Sequence, residues 1–151
     1  MKRTMFIGAI ACGKTTLTQR LENQQIKYNK TQAIEFSSNI IDTPGEYMEH
    51  HNMMSTLRVT SMDADIVVLL QSAVDKRLVF PAGFCSMFSK PTLGVVTKID
   101  LVKDPADIEY SKNLLLSAGV KKVIPVSAVE NINIDKLAVS YTHLRAHETD
   151  S

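Results

Sequence analysis

Long apolar runs are missing from this sequence of 151 residues. No stretch approaches the roughly 20 consecutive apolar residues that carry a helix across a membrane, so a membrane is not an expected partner. An excess of one charge sign is missing too. Seventeen basic residues face 16 acidic ones, for a formal net charge of +1, and no basic field is available to draw in nucleic acid or anionic lipid. Cysteine is scarce. Cys12 and Cys85 are the two present, and neither sits in a CxxC or in metal-ligand spacing. A disulfide framework is therefore excluded and a reducing cytoplasm is the expected setting. Met1-Lys2-Arg3 leads straight into the first apolar run, so no signal peptide is expected. Internal repeats and low-complexity segments are absent. What is present is 44% apolar and 22% charged residues, the composition and length of one compact domain of the α/β kind.

The chain is organised around Gly8-Ala9-Ile10-Ala11-Cys12-Gly13-Lys14-Thr15. This is G-x-x-x-x-G-K-[ST], the phosphate-binding P-loop pattern. The pattern needs a strand before it and a helix after it. The apolar run up to Ile7 and the stretch from Lys14 to about Glu22 meet that need. Backbone N–H groups of the loop and the helix N-terminus face an anion in this arrangement. Lys14 reaches the β- and γ-phosphates, the Thr15 hydroxyl takes one position on Mg²⁺, and Thr16 opens the helix beside them. Cys12, close to the helix N-terminus, is expected to react faster than Cys85, because a thiolate is stabilised there.

Downstream, Asn23 to Lys30 is polar and reads as an exposed loop. Ala33–Phe36 and Asn39–Asp42 are short strand candidates. The ten residues between Thr31 and Asp42 span about 35 Å at most, too little for a long hairpin, so the second and third strands must be short. Met53 to Met62 reads as a helix with Met54, Leu57 and Met62 on one face. Ile66 to Leu70 is an unbroken apolar run, as in a central parallel strand. Leu78 to Phe88 reads as loop and short helix, and Thr92 to Thr97 as another buried strand. Asp104 is the expected N-cap and Pro105 the first residue of a helix running to Ala118, stopped by Gly119. Val123 to Val126 is the last strand, and Ile134 to Ala138 starts a final helix. The other methionines, Met48 and Met87 among them, are expected as core filler. Strands alternate with helical patterns, which predicts a mostly parallel sheet covered on both faces. Ligands of such sheets bind beyond the carboxyl ends of the strands.

Three further motifs fall at that edge. Asp42-Thr43-Pro44-Gly45 fits D-x-x-G. Asp42 at a strand end suits Mg²⁺, usually through water, since a hard cation takes oxygen ligands. Gly45 lets a backbone N–H approach the γ-phosphate. Thr97-Lys98-Ile99-Asp100 fits [NT]-K-x-D. The Asp100 carboxylate can accept two N–H bonds from guanine, adenine offers no such pair, and the Lys98 stem can lie on the base. Ser127-Ala128 follows the last strand, where a backbone N–H can meet the guanine O6.

In this order the residues resemble the GTPase branch of the P-loop NTPases. Three stretches narrow the resemblance: Lys30 to Phe36, Ile41 to Tyr47 and Pro81 to Phe84. They look like the EutP/PduV family of ethanolamine and propanediol utilisation, and the resemblance covers about Met1 to Leu137. It implies a small three-layer, Ras-like P-loop domain encoded with bacterial microcompartment enzymes, binding GTP or ATP with Mg²⁺. It also implies that Thr31 is the switch threonine that closes on Mg²⁺ and the γ-phosphate. Glu46 stands where many Ras-like proteins place a water-orienting glutamine. Ile10 stands where those that use a partner's arginine finger carry glycine. With Lys14, Thr31 and Gly45, Glu46 completes the candidate catalytic set.

Residues 139–151 break the apolar period begun at Ile134 and Leu137. The domain is expected to be 1–138, and the tail to be an artefactual ending. Glu49-His50-His51 lacks the spacing of a helical metal site and reads as solvated. Three functions are consistent with these residues: a GTP-binding switch with slow hydrolysis, an acetate kinase-type phosphotransferase using ATP, and a microcompartment-targeting module whose nucleotide is structural. The first two make it an enzyme. Shell proteins or enclosed enzymes are the macromolecular partners that the resemblance implies. Neither a nucleophile motif nor a carboxylate-clamping arginine pair is visible for an acceptor; Arg58 and Arg77 are candidates with no assigned place.

Overall fold

The computed structural model describes residues 3–9, 12–28, 40–42, 54–130, 132–134 and 136–137. Five strands are described: β1 Thr4–Gly8, β2 Ile40–Asp42, β3 Ile66–Ser72, β4 Thr92–Thr97 and β5 Val123–Pro125. They form one sheet in the order β2-β1-β3-β4-β5, and every pairing is parallel. Parallel pairing requires a crossover between neighbours. Three helices lie in these crossovers, α1 Lys14–Tyr28, α2 Met54–Ser61 and α3 Pro105–Ala118, while β3 passes to β4 through a segment with no α-helix.

Alternation along the strands divides the core in two. Met5, Ile7, Val67, Leu69 and Val96 point to one face and pack with Leu57 of α2 and Leu115 and Ala118 of α3. Phe6, Ile66, Val68, Leu70, Leu93 and Val95 point to the other and pack with Leu17 and Leu21 of α1 and with Ile134 and Leu137. Burial on both faces is why β3 and β4 read as continuous apolar runs. The result is a three-layer α/β sandwich, as expected. The expected strand at Ala33–Phe36 lies outside the described residues. The strand at Asn39–Asp42 is present as β2 and is three residues long.

Helix α3 begins and ends where its signals stand. Asp104 is extended, and its carboxylate accepts the Ala106 N–H at 3.0 Å. Pro105 follows, and Gly119 closes the helix at φ 110°. Helix α1, by contrast, runs to Tyr28, six residues beyond its expected end at Glu22. Asn23 to Lys27 contains no glycine or proline, and its glutamines, glutamate neighbour and lysine are adequate helix formers, so polarity alone did not stop the helix. Leu78 to Phe88 contains one 3₁₀ turn, Phe84–Met87. There Phe80, Phe84 and Phe88 pack in series, tilted and then edge-to-face, with ring centroids 5.2 and 5.6 Å apart. Met62 is a correction: it lies just past α2 and is 73% exposed, whereas Met87 is partly buried against the core. Met48, Met53 and the 139–151 tail lie outside the described residues.

Candidate functional site

The parallel register places the carboxyl ends of the strands along one edge. Gly8 ends β1 opposite Leu70, Asp42 ends β2 opposite Phe6, and Thr97 ends β4 opposite Ser72. Gly8, Asp42 and Thr97, each in one of the motifs, therefore stand at that edge.

Gly8 is the last residue of β1, and Ala9 follows it, buried. Gly8 has no room for a side chain. A Cβ would overlap the Cys12 sulfur and lie 3.1 Å from the Leu70 Cβ. The sulfur is tucked under the loop among Phe6, Leu17 and Leu70. This corrects the expectation of a reactive thiolate at Cys12. Burial pushes its thiol up from the ordinary value of 9.0, and the Lys14 backbone N–H and the Lys14 and Lys98 charges only partly counter that. Cys85 is raised by burial as well. Cys12 therefore belongs to the floor of the loop. Ile10 and Ala11 lie outside the described residues.

Gly13 sits at φ 93°, in the left-handed region that an L side chain enters only at a cost. It is also where the loop meets the end of β4. A Cβ here would stand 3.4 Å from the Lys98 Cε and 3.7 Å from the Thr97 hydroxyl. The Thr97 hydroxyl donates to the Cys12 carbonyl at 2.5 Å. That bond ties the loop to the strand carrying the Lys98–Asp100 motif. Lys98 is itself left-handed, at φ 61°, a strained conformation for a non-glycine residue. The chain turns there into the 3₁₀ segment Ile99–Leu101. Lys14 starts α1 half-buried, and Thr15 and Thr16 follow, exposed in its first turn.

Asp100 and Ser127 meet across this edge. The Ser127 hydroxyl donates to the Asp100 carboxylate at 2.7 Å and accepts the Glu130 N–H at 3.0 Å. Ser127 also exchanges both backbone hydrogen bonds with Ile132. The sequence offered Ser127 for a backbone contact. The structure adds a side-chain role, fixing one oxygen of Asp100.

Gly13, Thr16, Thr97, Lys98, Asp100 and Ala128, with Leu17, Val126 and Val129, line one open pocket. One wall is apolar, from Leu17, Val126 and Val129. Lys98 and Asp100 add charged groups to the lining. Such a pocket suits a flat ring with polar edges. Leu17, Val126 and Val129 were not singled out from the sequence, since aliphatic wall residues carry no motif. Arg20 was missed too, although it stands four residues after Thr16 and therefore on the same face of α1.

Not all candidates are brought together. Thr31, Gly45 and Glu46, with Thr43, Pro44, His50 and His51, lie outside the described residues, and Asp42 is placed through its backbone only. Among the described residues there is no cluster of three or more metal-ligating side chains. Of the two arginines considered for an acceptor, Arg77 is engaged by Asp75, Nη2 to Oδ2 at 2.8 Å. Arg58 is exposed in the last turn of α2. No described helix is long and apolar enough to cross a membrane.

Comparison with known proteins agrees with this geometry. The family model for ethanolamine utilisation and propanediol utilisation, PduV-EutP, matches residues 1–143. The chain is 41% identical over 139 residues to the propanediol utilization protein PduV of Citrobacter freundii, covering 92% of each chain. It is 36% identical over 124 residues to the probable acetate kinase EutP of Escherichia coli strain K12, covering 81% of this chain and 77% of that one. In fold it is similar to the crystal structure of a probable GTP-binding protein, engB. The TM-score is 0.65 at 22% identity, over 94% of this chain and 97% of that one. A P-loop closed against a [NT]-K-x-D strand end, on the fold of the P-loop GTPases and with matches across nearly the whole chain, places it in a family: it belongs to PduV-EutP, the proteins of ethanolamine and propanediol utilisation.

Proposed function

We propose that this chain binds a purine nucleoside triphosphate with Mg²⁺, prefers GTP to ATP, and hydrolyses it slowly. The preference is carried by one observation: the Asp100 carboxylate is held by the Ser127 hydroxyl at 2.7 Å in the lining of the pocket that Gly13 and Lys98 share. A carboxylate with one oxygen anchored presents its remaining lone pairs to the N1–H and exocyclic amine of guanine. Adenine has no matching pair of donors on that edge. The Lys98 stem lies against one side of the base, and the Ala128 backbone N–H faces the O6.

The phosphate half follows from the loop. Gly13 allows the backbone to approach an anion closely, and the α1 N-terminus supplies N–H groups and a partial positive charge. Lys14 adds a point charge on the β- and γ-phosphates. The metal donors are hard oxygens, as Mg²⁺ requires. Thr15 is the second residue of α1, and Asp42 ends the strand next to β1. Thr31 completes the set when the switch closes, and Gly45 offers its N–H to the γ-phosphate. When bound, the ion neutralises charge on the phosphate oxygens. Slow turnover follows from Glu46, an anion in place of a neutral water-orienting glutamine, and from the branched Ile10, which crowds the place of an arginine finger. The nucleotide-binding domain is residues 1–138. It acts in the cytoplasm, alongside ethanolamine or propanediol enzymes and their microcompartment shell.

A second reading is supported by the relative named a probable acetate kinase: phosphoryl transfer from ATP to acetate. Incubation of the protein and Mg²⁺ with γ-labelled GTP or ATP, with and without acetate, tests both. Phosphate release near ~10⁻⁴ s⁻¹ and indifferent to acetate is expected. Acetyl phosphate formed in step with nucleotide loss would replace this reading with the kinase, and tight binding without any turnover would leave a targeting module.

A further inference from the structure

Arg20 lies on α1, away from every motif, yet it reaches across to the loop after β5. Its Nε donates to the Ala128 carbonyl at 2.8 Å and its Nη2 to the Val129 carbonyl at 3.3 Å. These carbonyls belong to two consecutive residues of the pocket wall. The planar guanidinium offers its donors in a fixed fork, so the two bonds hold two successive peptide planes at once.

The plane before them is held by a backbone bond. The Ser127 carbonyl accepts the Ile132 N–H at 2.9 Å. A trans peptide sets its N–H antiparallel to its carbonyl, so this bond fixes the direction of the Ala128 N–H. Arg20 fixes the plane that follows Ala128. Between them these bonds restrain both torsions of Ala128. The same loop supplies the Ser127 hydroxyl to Asp100 at 2.7 Å. Arg20 therefore stands at the head of a chain of contacts that runs through Ala128 and Ser127 to Asp100.

We propose that Arg20 is a positioning residue for base selectivity: it locks the residue 127–129 loop to the helix that begins at the phosphate site, and so sets how strongly the pocket prefers a 6-oxo purine. This rests on the guanine-site reading above. It predicts a particular selectivity, because the Ala128 N–H addresses only the O6, whereas Lys14 and the P-loop address the phosphates that all nucleotides share.

Competition against a fluorescent nucleotide, with GTP, inosine triphosphate and ATP in turn, tests this on the wild type, Arg20→Ala and Arg20→Gln. Inosine triphosphate keeps the O6 and N1–H but lacks the 2-amine. Arg20→Ala should weaken GTP and inosine triphosphate together by about tenfold and leave ATP within about twofold, the scale of one misaligned hydrogen bond. Arg20→Gln, which keeps a single donor nitrogen in place of the guanidinium fork, should fall between. The ratio of GTP to ATP affinity does not depend on the fraction of active protein, so a partly unfolded variant still gives an answer. An equal loss for all three nucleotides would overturn the proposal in favour of a purely structural tie, and so would no change in either variant. A wild type that does not distinguish GTP from ATP would overturn the guanine-site reading itself, and this proposal with it.

Discussion

Replacing Thr97 by valine removes one oxygen and little else, and the structure sets what that oxygen is worth. Its hydroxyl donates to the Cys12 carbonyl at 2.5 Å, and the two residues are 3% and 5% exposed. A neutral hydrogen bond contributes about 1 kcal/mol net, but leaving a buried acceptor unpaired costs about 1–3 kcal/mol. Valine fills nearly the same space, so no cavity term adds to this. About 2 kcal/mol is the expected loss for Thr97→Val. For a chain of this size each kcal/mol moves Tm by about 2–4 °C, giving a drop of about 4–8 °C. Thr97→Ser keeps the hydroxyl and should lose less. Urea unfolding of the three proteins at equal m-value measures the difference. Because the bond joins β4 to the loop, Thr97→Val should also weaken nucleotide binding. A Thr97→Val protein with wild-type midpoint and affinity would refute the idea that this hydroxyl couples the two motifs.

Gly8→Ala places a methyl against the Cys12 sulfur and the Leu70 side chain and should cost about 1–3 kcal/mol, with part of the loss recovered when Cys12→Ala is combined with it. Lys14→Ala should abolish triphosphate binding, read by calorimetry, while circular dichroism and Tm stay at wild-type values, because the amine is a point charge on phosphate and not part of the core. Both thiols are held protonated by burial in the folded state. Folding thus retains protons that the unfolded chain releases, so the stability they contribute is complete below the ordinary value of 9.0 and is lost as pH rises above it; unfolding midpoints between pH 8 and 11 should fall, and iodoacetamide should label native Cys12 no faster than Cys85.

The parts of this fold that the sequence displayed are those where local chemistry and tertiary structure demand the same residues. Ile66 to Leu70 is apolar throughout because both faces of β3 are covered, and Asp104, Pro105 and Gly119 mark the ends of α3 through backbone rules that need no partner. The end of α1 was hidden because a polar helix end and a polar loop have the same composition. Cys12 misled because the loop position suggested an electropositive setting, whereas Gly8 leaves a space that draws its sulfur beneath the loop. At the site, Gly13, Lys98 and Asp100 were visible through motif spacing. Arg20 and the Ala128 carbonyl are 108 positions apart, and no local pattern announces a contact that only the sheet order creates.

Titration calorimetry of nucleotide-free protein with Mg²⁺-GTP and Mg²⁺-ATP, repeated on Asp100→Asn with xanthosine triphosphate added to the series, tests the central claim most directly. A site built on paired polar groups rejects a ligand lacking the partners by up to ~10⁴-fold, so the wild type should bind GTP far more tightly than ATP. Asp100→Asn should weaken GTP and favour xanthosine triphosphate, whose carbonyl replaces the guanine amine, with phosphate binding through Lys14 intact. Equal affinities of the wild type for GTP and ATP, unmoved by Asp100→Asn, would contradict the account and give precedence to ATP-dependent phosphotransfer.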